Sequence, residues 1–541
     1  MKPIILLAAV TGLVSSTLSV AATSNPEADA ERIRAHVEFL ADDLLRGRDT
    51  GSRGHQIATR YIASEFTQLG LEPAGEDGTF FQTVPFRQAY LKQESPRLVL
   101  SSDHAKLALD YPKDYLTGPS TVYQEAHVSG EMVFAGYGIV APELEHDDYA
   151  DLDVDGKVVV ILSGKPAHFP SEEGAHFASG HEKGKHAAQR GAIGIVSITT
   201  PTIEKIRPYQ SRLNYLHTPS LRTLDESGEP VSVFPEIKNS AFFSKKAAEQ
   251  LFAHAPMSLD EIYAAIEQGN TPAGFALPVS IDFSKSSTHE RIESDNVAAI
   301  LPGSDPELKN EYVVYSAHSD HIGIAKTVKK DKINNGAMDN ATGTSVLLET
   351  ARLFTQMPKP RRSILFVAVT AEEKGLLGAD YFARNPTVPG DAMVANVNLD
   401  MPILKYQFED VIAFGANHSD LQHNVADAAE QMGLSLAEDP WPEQALFTRS
   451  DHYMFVKQGV PSVFLVPGFT AKGDKSGEDY FKEFLGSDYH KPSDEVNEDF
   501  NWQAATLFTE VNLRIGRSIA NQDQRPAWFD GDFFGNTFAG K

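Results

Sequence analysis

Six side chains that could bind a metal or move a proton fall within residues 316–400. They occur in the motifs SAHSDHIG, GAMDNATG, VTAEEKGLLGA and VNLDM, and they are His318, Asp320, Asp339, Glu372, Glu373 and Asp400. A later segment, DYHKPSDE, adds His490. Crowded carboxylates raise one another's pKa values unless a cation lies among them. The grouping therefore predicts a bivalent metal centre.

The chain contains no cysteine, so every protein ligand of such a centre must be a carboxylate oxygen or an imidazole nitrogen. This set of ligands suits zinc and neighbouring transition metals in catalytic sites. The absence of cysteine also excludes disulfides, which a chain of 541 residues can do without because its core is large.

Three of the motifs follow runs of β-branched and apolar residues that predict strands. The runs are EYVVYSAHSDH, RSILFVAVTA and AMVANVNLD. Helical patterns at 345–357 and 418–433 alternate with strands, which predicts an α/β fold with a mostly parallel central sheet flanked by helices. Ligands of such sheets bind beyond the carboxyl ends of the strands, and that is where these motifs fall.

Asp339 and His490 do not follow these strands, and each has an ordinary alternative role. Asp339 precedes a helical pattern and could be its N-cap. His490 lies in a loop and could be a surface histidine. Taken together with the strand ends, however, both residues favour a common site.

Residues 120–285 have a different pattern, in which short strands bounded by glycine turns alternate with one or two helices. This predicts an inserted β-rich domain, here called the inserted block. Its histidines at 176, 181 and 186 are irregularly spaced, and we assign them no role. Before this block, the glycine-rich turn at 46–54 carries arginines that we expect to be solvated.

The composition is that of a globular protein of two or three domains, with 41% hydrophobic and 23% charged residues. The formal net charge of −26 argues against nucleic acid as a partner, because phosphate binding needs clustered Lys and Arg. The same charge is unfavourable for anionic membrane surfaces.

The N-terminus has the pattern of a signal peptide. Lys2 forms a short basic region, residues 4–14 are apolar, and Ser-Val-Ala at 19–21 is a small-residue cleavage site. The apolar run is shorter than the ~20 residues that span a bilayer. We therefore expect an exported protein, periplasmic or secreted.

The spacings resemble a known family. His-x-Asp, Asp-Asn-x-x-Gly, Glu-Glu-x-Gly-x-x-Gly, Asn-Leu-Asp and Tyr-His-x-Pro-x-Asp occur here in the order found in the M28 family of zinc aminopeptidases. The resemblance covers about 30–120 and 290–520, and the inserted block resembles the protease-associated (PA) domain that many members carry.

The resemblance implies two zinc ions that share Asp339 as a bridging ligand. One ion would also bind His318 and Asp400, and the other Glu373 and His490. The family has a cis peptide after the bridging aspartate, which here is the bond between Asp339 and Asn340.

Further roles follow from the same resemblance. Asp320 would orient His318, Glu372 would act as general base and then acid, and Tyr489 would polarise the scissile carbonyl or stabilise the oxyanion. Arg449, in the segment RSDHYMF, would bind a substrate carboxylate or carbonyl, with a structural ion pair as its alternative. His321 and His452 lie near the motifs, and we interpret them as supporting or packing residues.

The expected function is that of an exported di-zinc exopeptidase. It would remove N-terminal amino acids from peptides through a metal-bridging water, with Glu372 as general base. The alternatives are a carboxypeptidase of the same family, a glutaminyl cyclase-like acyltransferase and a non-catalytic binding protein on the same fold. The predicted division is a signal peptide at 1–21, peptidase domain at 22–119 and 286–520, the inserted block at 120–285, and an aromatic tail at 521–541 that packs against the domain.

Overall fold

The computed structural model describes residues 26–103, 105–326 and 328–540, and the predicted signal peptide lies outside them. Its strands are β1 (Glu72–Pro73), β2 (Phe81–Leu91), β3 (Arg97–Ser101), β4 (Lys106–Leu109), β5 (Tyr115–Leu116), β6 (Glu125–Phe134), β7 (Val140–Ala141), β8 (His146–Asp147), β9 (Val158–Leu162), β10 (Gly194–Ile198), β11 (Ser220–Thr223), β12 (Asn239–Phe243), β13 (Phe275–Leu301), β14 (Tyr312–His318), β15 (Ser363–Val369), β16 (Met393–Asn398), β17 (Asp410–Phe414), β18 (Ser435–Ala437) and β19 (Ser462–Pro467). Its α-helices are α1 (Ala30–Leu40), α2 (Arg53–Gln68), α3 (Ser171–Ala178), α4 (Gly180–Gln189), α5 (Pro201–Ile206), α6 (Tyr209–Arg212), α7 (Lys245–Leu251), α8 (Leu259–Glu267), α9 (Thr342–Gln356), α10 (Leu377–Arg384), α11 (Leu421–Gln431), α12 (His452–Val456), α13 (Gly477–Ser487), α14 (Trp502–Asn521) and α15 (Phe533–Phe538).

The first sheet has four parallel strands at its centre, in the order β15, β14, β16 and β19. On the β15 side it continues with β13 and β2, both antiparallel to their neighbours, and on the other side β17 runs antiparallel to β19. The antiparallel strands therefore lie at the flanks. This confirms the predicted α/β fold with a mostly parallel central sheet.

Helices cover both faces of this sheet, as its apolar strands require. Tyr315 and Phe366 pack into the core on the side of α1, α9 and α14. Val314 and Leu365, each one position earlier in the same strands, pack into the core on the side of α10 and α12. Both faces of β14 and β15 are buried, so their carboxyl ends are held rigidly.

A second sheet contains, in order, β4, β3, β13, β6, β9, β10, β12 and β5. Its strands β6, β9, β10 and β12 are parallel, and the others are antiparallel to their neighbours. Because β3, β4 and β5 precede residue 120, this sheet begins earlier along the chain than the predicted boundary. One strand of the inserted block, β11, instead joins the first sheet by pairing with β2.

Strand β13 belongs to both sheets. Its first part, to Ser286, pairs with β6, and from Ser287 to Val297 it pairs with β2 before it meets β15. The predicted boundary at residue 286 therefore falls inside one continuous strand.

The turn at 46–54 differs from the expectation of solvated arginines. Arg48 is only 1% exposed and donates hydrogen bonds to the main-chain oxygens of Ser319, Asn335 and Gly336. The expectation was wrong for Arg48, because several carbonyl groups that are distant in sequence take the place of water around its guanidinium.

The aromatic tail packs against the body of the protein, as expected. The Trp528 indole N–H donates to the Gly459 oxygen at 2.9 Å, and Phe534 is fully buried. Phe533 contacts Phe177 of the inserted block, with ring centroids 5.2 Å apart. Among the described residues, no helix combines the length and apolarity needed to cross a membrane.

Candidate metal centre

Three neighbouring parallel strands bring the predicted site residues to one edge of the first sheet. His318 is the last residue of β14, and Asp400 follows β16 by two residues. Glu372 and Glu373 begin a short 3-10 turn just beyond β15. The expected meeting of these side chains at the carboxyl ends of the strands is therefore observed.

Asp339 lies between two groups of candidate ligands. Its Oδ1 is 3.3 Å from His318 Nε2, and its Oδ2 is 3.1 Å from His490 Nε2. It precedes α9 in the distorted turn Ala337–Ala341, but no side chain caps that helix, so the N-cap alternative is wrong. The bond from Asp339 to Asn340 is cis, which confirms the isomer implied by the resemblance.

The first group contains His318, Asp339 and Asp400, all buried, with donor atoms within 4.8 Å of one another. His318 Nε2 is 3.2 Å from Asp400 Oδ1, while Nδ1 is 3.2 Å from the main-chain oxygen of Asp320. When Nδ1–H donates to that oxygen, the Nε2 lone pair faces two carboxylates. Such an arrangement is repulsive unless a proton or a cation lies between the atoms.

The second group contains Glu373, His490 and Asp339. His490 Nε2 is 3.1 Å from Glu373 Oε2. His321 also belongs here, because its Nδ1 is 2.6 Å from Glu373 Oε1 and its donor atoms meet those of Asp339 and Glu373. The structure thus places His321 as a contact of Glu373, in keeping with a supporting role, and also within reach of the second group.

This donor set fits zinc. Carboxylate oxygens and an imidazole nitrogen lie within a 4.8 Å span among His318, Asp339 and Asp400, and again among His321, Asp339 and Glu373, so Asp339 contributes to both sets. His490 Nε2 lies 3.1 Å from oxygens of Asp339 and Glu373. Nitrogen and oxygen donors with no thiolate are typical of catalytic zinc. His318, Asp339, Glu373, Asp400 and His490 therefore stay the predicted ligands.

The adjacent glutamates Glu372 and Glu373 have opposite pKa shifts. Burial raises the pKa of Glu372 well above its ordinary value, and nearby carboxylates add to the rise. Burial also acts to raise the pKa of Glu373, but His490 and His321 outweigh it and lower this pKa. Neighbouring acids with separated pKa values suit different roles, one exchanging protons and the other staying ionised.

Asp320 is fully buried beneath the site. Its carboxylate lies 3.9 Å from His318 Nδ1 and accepts hydrogen bonds from Thr50 Oγ1 at 3.0 Å and from the Glu372 N–H at 3.1 Å. The main-chain oxygen of Asp320 lies nearer to His318 Nδ1, at 3.2 Å, than its carboxylate does. The side chain that we expected to orient His318 therefore anchors the Glu372 turn, and the main chain supplies the contact to the ring.

Tyr489 and Arg449 lie next to the second group, on the side of His490. The Tyr489 ring stacks on His490 with centroids 3.9 Å apart, and Arg449 Nη2 donates to the Tyr489 hydroxyl at 3.4 Å. Arg449 has no carboxylate within ion-pair distance among the described residues. The alternative role, a structural ion pair, is therefore wrong.

Sequence reasoning missed several residues that support the centre. Ser450 donates to Asp400 Oδ2 and accepts from Asn398, which fixes the Asp400 carboxylate. Asp494 accepts the main-chain N–H groups of Met338 and Asp339. Ser450 and Asp494 lie inside motifs quoted above, RSDHYMF and DYHKPSDE, which is the signal that could have identified them.

Two further residues that sequence reasoning did not single out are Asp451 and Tyr215. Asp451 is fully buried, and neither of its carboxylate oxygens has a hydrogen-bond partner among the described residues. It too lies in RSDHYMF. Tyr215 of the inserted block reaches His490, and no motif indicated it.

Comparison with known proteins agrees with this geometry. Residues 296–515 match the model of Peptidase family M28. Aminopeptidase NAALADL1 of Mus musculus is 28% identical over 231 residues, which is 40% of this chain and 26% of that protein. Aminopeptidase YwaD of Bacillus subtilis (strain 168) is 28% identical over 198 residues, covering 35% of this chain and 37% of that protein. The matched region thus spans well under half the length of these curated relatives.

A solved structure extends the comparison to nearly the whole chain. The aminopeptidase from Aneurinibacillus sp. strain AM-1 superposes with a TM-score of 0.54 at 19% identity, covering 92% of this chain and 96% of that one. At this identity, the likeness shows that the two chains share a fold.

Proposed function

We propose that this chain is a zinc-dependent exopeptidase that removes N-terminal residues from peptides. The premise is that it belongs to peptidase family M28 through residues 296–515. The observation that carries the proposal is the position of Asp339 between two groups of buried acidic and imidazole ligands. A carboxylate with one oxygen directed to each group is suited to bridge two ions. The relatives named aminopeptidases support the reaction class.

The mechanism assigns a role to each residue around the scissile bond. When bound, zinc supplies a Lewis acid that polarises the carbonyl and makes a water more acidic. Glu372 takes a proton from the attacking water and returns it to the leaving amine. The Tyr489 hydroxyl donates to the carbonyl oxygen as negative charge develops there.

Arg449 acts on the substrate rather than on the metal centre. Its guanidinium donates to the Tyr489 hydroxyl and to the Gln444 oxygen, and its remaining N–H groups bind a carbonyl or carboxylate oxygen of the peptide. This would orient the substrate chain against the site.

The test measures metal content and substrate preference together. The purified protein should bind two zinc ions per chain and release the amine from aminoacyl-nitroanilides. Chelation should abolish this activity, and zinc or cobalt should restore it. A protein that binds no zinc and cleaves no aminoacyl substrate would contradict the proposal.

The same samples separate the alternatives. A carboxypeptidase would cleave peptides with a blocked N-terminus, and a glutaminyl cyclase would convert N-terminal glutamine to pyroglutamate without hydrolysis. A binding protein would bind peptides and turn over none of these substrates. For each alternative, the aminoacyl-nitroanilide assay gives the opposite result to the one expected here.

Export is part of the proposal. The basic, apolar and small-residue regions of residues 1–21 support it. Mass spectrometry of the protein from periplasmic and extracellular fractions should find a mature N-terminus after Ala21. An intact N-terminus in the cytoplasmic fraction alone would contradict export.

A further inference from the structure

Tyr215 of the inserted block contacts a predicted metal ligand of the other domain. It ends the short 3-10 turn Leu213–Tyr215, and its hydroxyl oxygen is 2.8 Å from His490 Nδ1. The two rings also meet edge to face, with centroids 5.8 Å apart and planes at 75°. The contact joins positions that are 275 residues apart in sequence.

The geometry fixes the direction of this hydrogen bond once His490 is a ligand. Its Nε2 faces oxygens of Asp339 and Glu373, each at 3.1 Å. A histidine that binds metal through Nε2 carries its proton on Nδ1. Nδ1–H therefore donates to the Tyr215 oxygen, which selects the tautomer that leaves Nε2 free to bind.

His490 depends on such a contact more than His318 does. His318 ends a buried strand, and a main-chain oxygen contacts its Nδ1. His490 follows the end of α13, in a loop, with a positive φ of 56°. Among the described contacts, side chains alone orient its imidazole: Tyr215 lies on Nδ1, Tyr489 on the ring face and His321 against the ring edge. Asp339 and Glu373 face its Nε2.

Contacts within the inserted block and with residues before and after it hold the segment of Tyr215 in place. The Arg212 guanidinium lies 4.2 Å above the Phe242 ring, and the Tyr209 hydroxyl donates to the Pro112 oxygen at 2.8 Å. Lys326 donates to the His217 oxygen at 3.3 Å, which joins the segment to the peptidase domain a second time. Tyr215 thus extends from an anchored segment, although its side chain is 44% exposed.

We propose that Tyr215 is a positioning residue that fixes the tautomer and ring orientation of His490, so that the inserted block completes one half of the metal centre. The inference rests on the proposed function, because it takes His490 as a zinc ligand. Partners on the far nitrogen of a metal-bound histidine change metal affinity or activity by ~10–100-fold.

The test compares Tyr215→Phe with the matched control Tyr123→Phe. Each variant removes one hydroxyl from the inserted block; that of Tyr123 donates to the Pro235 oxygen and not to the metal centre, and the phenyl ring in Tyr215→Phe would keep the edge contact with His490. Competition with a chromogenic chelator should show about 10-fold weaker binding of one zinc ion in Tyr215→Phe, an unchanged second ion, and wild-type affinities in Tyr123→Phe.

A spectroscopic readout separates positioning from stability. In the cobalt-loaded protein, the visible absorption band should change in Tyr215→Phe and not in the control, while the apo proteins unfold at the same temperature. Wild-type zinc affinities and spectrum in Tyr215→Phe would overturn the inference and leave the proposed function standing. A wild-type protein that binds no zinc would instead remove the proposed function.

Discussion

The carboxylate of Asp494 accepts the main-chain N–H of Asp339 at 3.1 Å, across 155 residues of sequence. It also accepts the N–H of Met338 at 2.8 Å, so a single buried side chain holds the turn that presents the candidate bridging ligand. The support comes from the loop that also carries His490, and the two halves of the centre are therefore tied together.

Replacing Asp494 by alanine should destabilise the protein. Two buried N–H groups would lose their acceptor, and each costs ~1–3 kcal/mol when unsatisfied. We expect the free energy of unfolding to fall by about 2–6 kcal/mol, with weaker zinc binding, measured by urea unfolding and chelator competition. Asp499→Ala, at an exposed position in the same loop, should match the wild type. Equal stability of the two variants would contradict this role.

The adjacent glutamates should respond differently to the same isosteric change. Glu372→Gln should keep two zinc ions and the wild-type fold but lower kcat by ~10²–10⁴, because general acid–base catalysis is removed. Glu373→Gln should instead lose zinc from one site. Metal analysis and steady-state kinetics check both variants. Near-wild-type turnover in Glu372→Gln would refute its assignment as the base.

Asp339→Ala should remove at least one zinc ion, because both groups of ligands share this carboxylate. His490→Ala should lose one ion and keep the other, since His318 and Asp400 remain. Elemental analysis of dialysed protein gives the stoichiometry of each. Two ions per chain in Asp339→Ala would show that the bridge has been assigned to the wrong residue.

Arg449→Ala should weaken substrate binding without loss of zinc. The guanidinium contacts the Tyr489 hydroxyl and no carboxylate among the described residues. We expect KM to rise about 10-fold or more, from loss of a charge-assisted hydrogen bond, with a smaller change in kcat. Arg449→Lys, which keeps the charge but not the planar fork, should be intermediate. Unchanged KM in both variants would exclude substrate contact.

His418 should make the protein less stable as the pH rises into the alkaline range. Its ring is buried between Asp532 and Glu172, and each carboxylate lies 2.6 Å from one ring nitrogen. Burial lowers the pKa of His418, but the two carboxylates outweigh burial and raise this pKa to about 10. A raised histidine pKa stabilises the fold fully below the unfolded value near 6.5 and loses that stability as pH rises towards 10. The free energy of unfolding should fall on the order of 3–5 kcal/mol over this range.

The variant His418→Gln should remove most of this slope. The matched control is His423→Gln, at an exposed position in α11, which should keep the wild-type profile. Urea unfolding at several pH values between 6.5 and 10 gives the curves. Parallel profiles for His418→Gln and the wild type would contradict the assignment.

The site could be predicted as far as strand ends and local motifs determine it. His318, Glu373 and Asp400 could be placed because apolar runs mark where β14, β15 and β16 end, and parallel strands end at one edge. Tyr215 and Arg48 could not, because their roles depend on partners hundreds of residues away. No local period records such contacts.

The fold shows the same limit. The parallel centre of the first sheet follows from alternating strands and helices, but β11 and β13 break the division into separate blocks. Polar residues occupy the middle of β13, where it passes from one sheet to the other at residues 286–287, and the pattern becomes apolar only after Asp295. Its full extent depends on pairing with β2 and β6, which the sequence of the strand itself does not specify.

The continuity of β13 restricts how the two parts of the molecule can move and be exchanged. Hinged lids rotate about a few loop residues, whereas here the connection at residue 286 is a hydrogen-bonded ribbon on both sides. Relative motion must therefore bend or twist that ribbon. A chimaera that swaps the inserted block for a foreign one would have to join two half-strands in register, since a one-residue offset would turn every following side chain to the opposite face of the sheet.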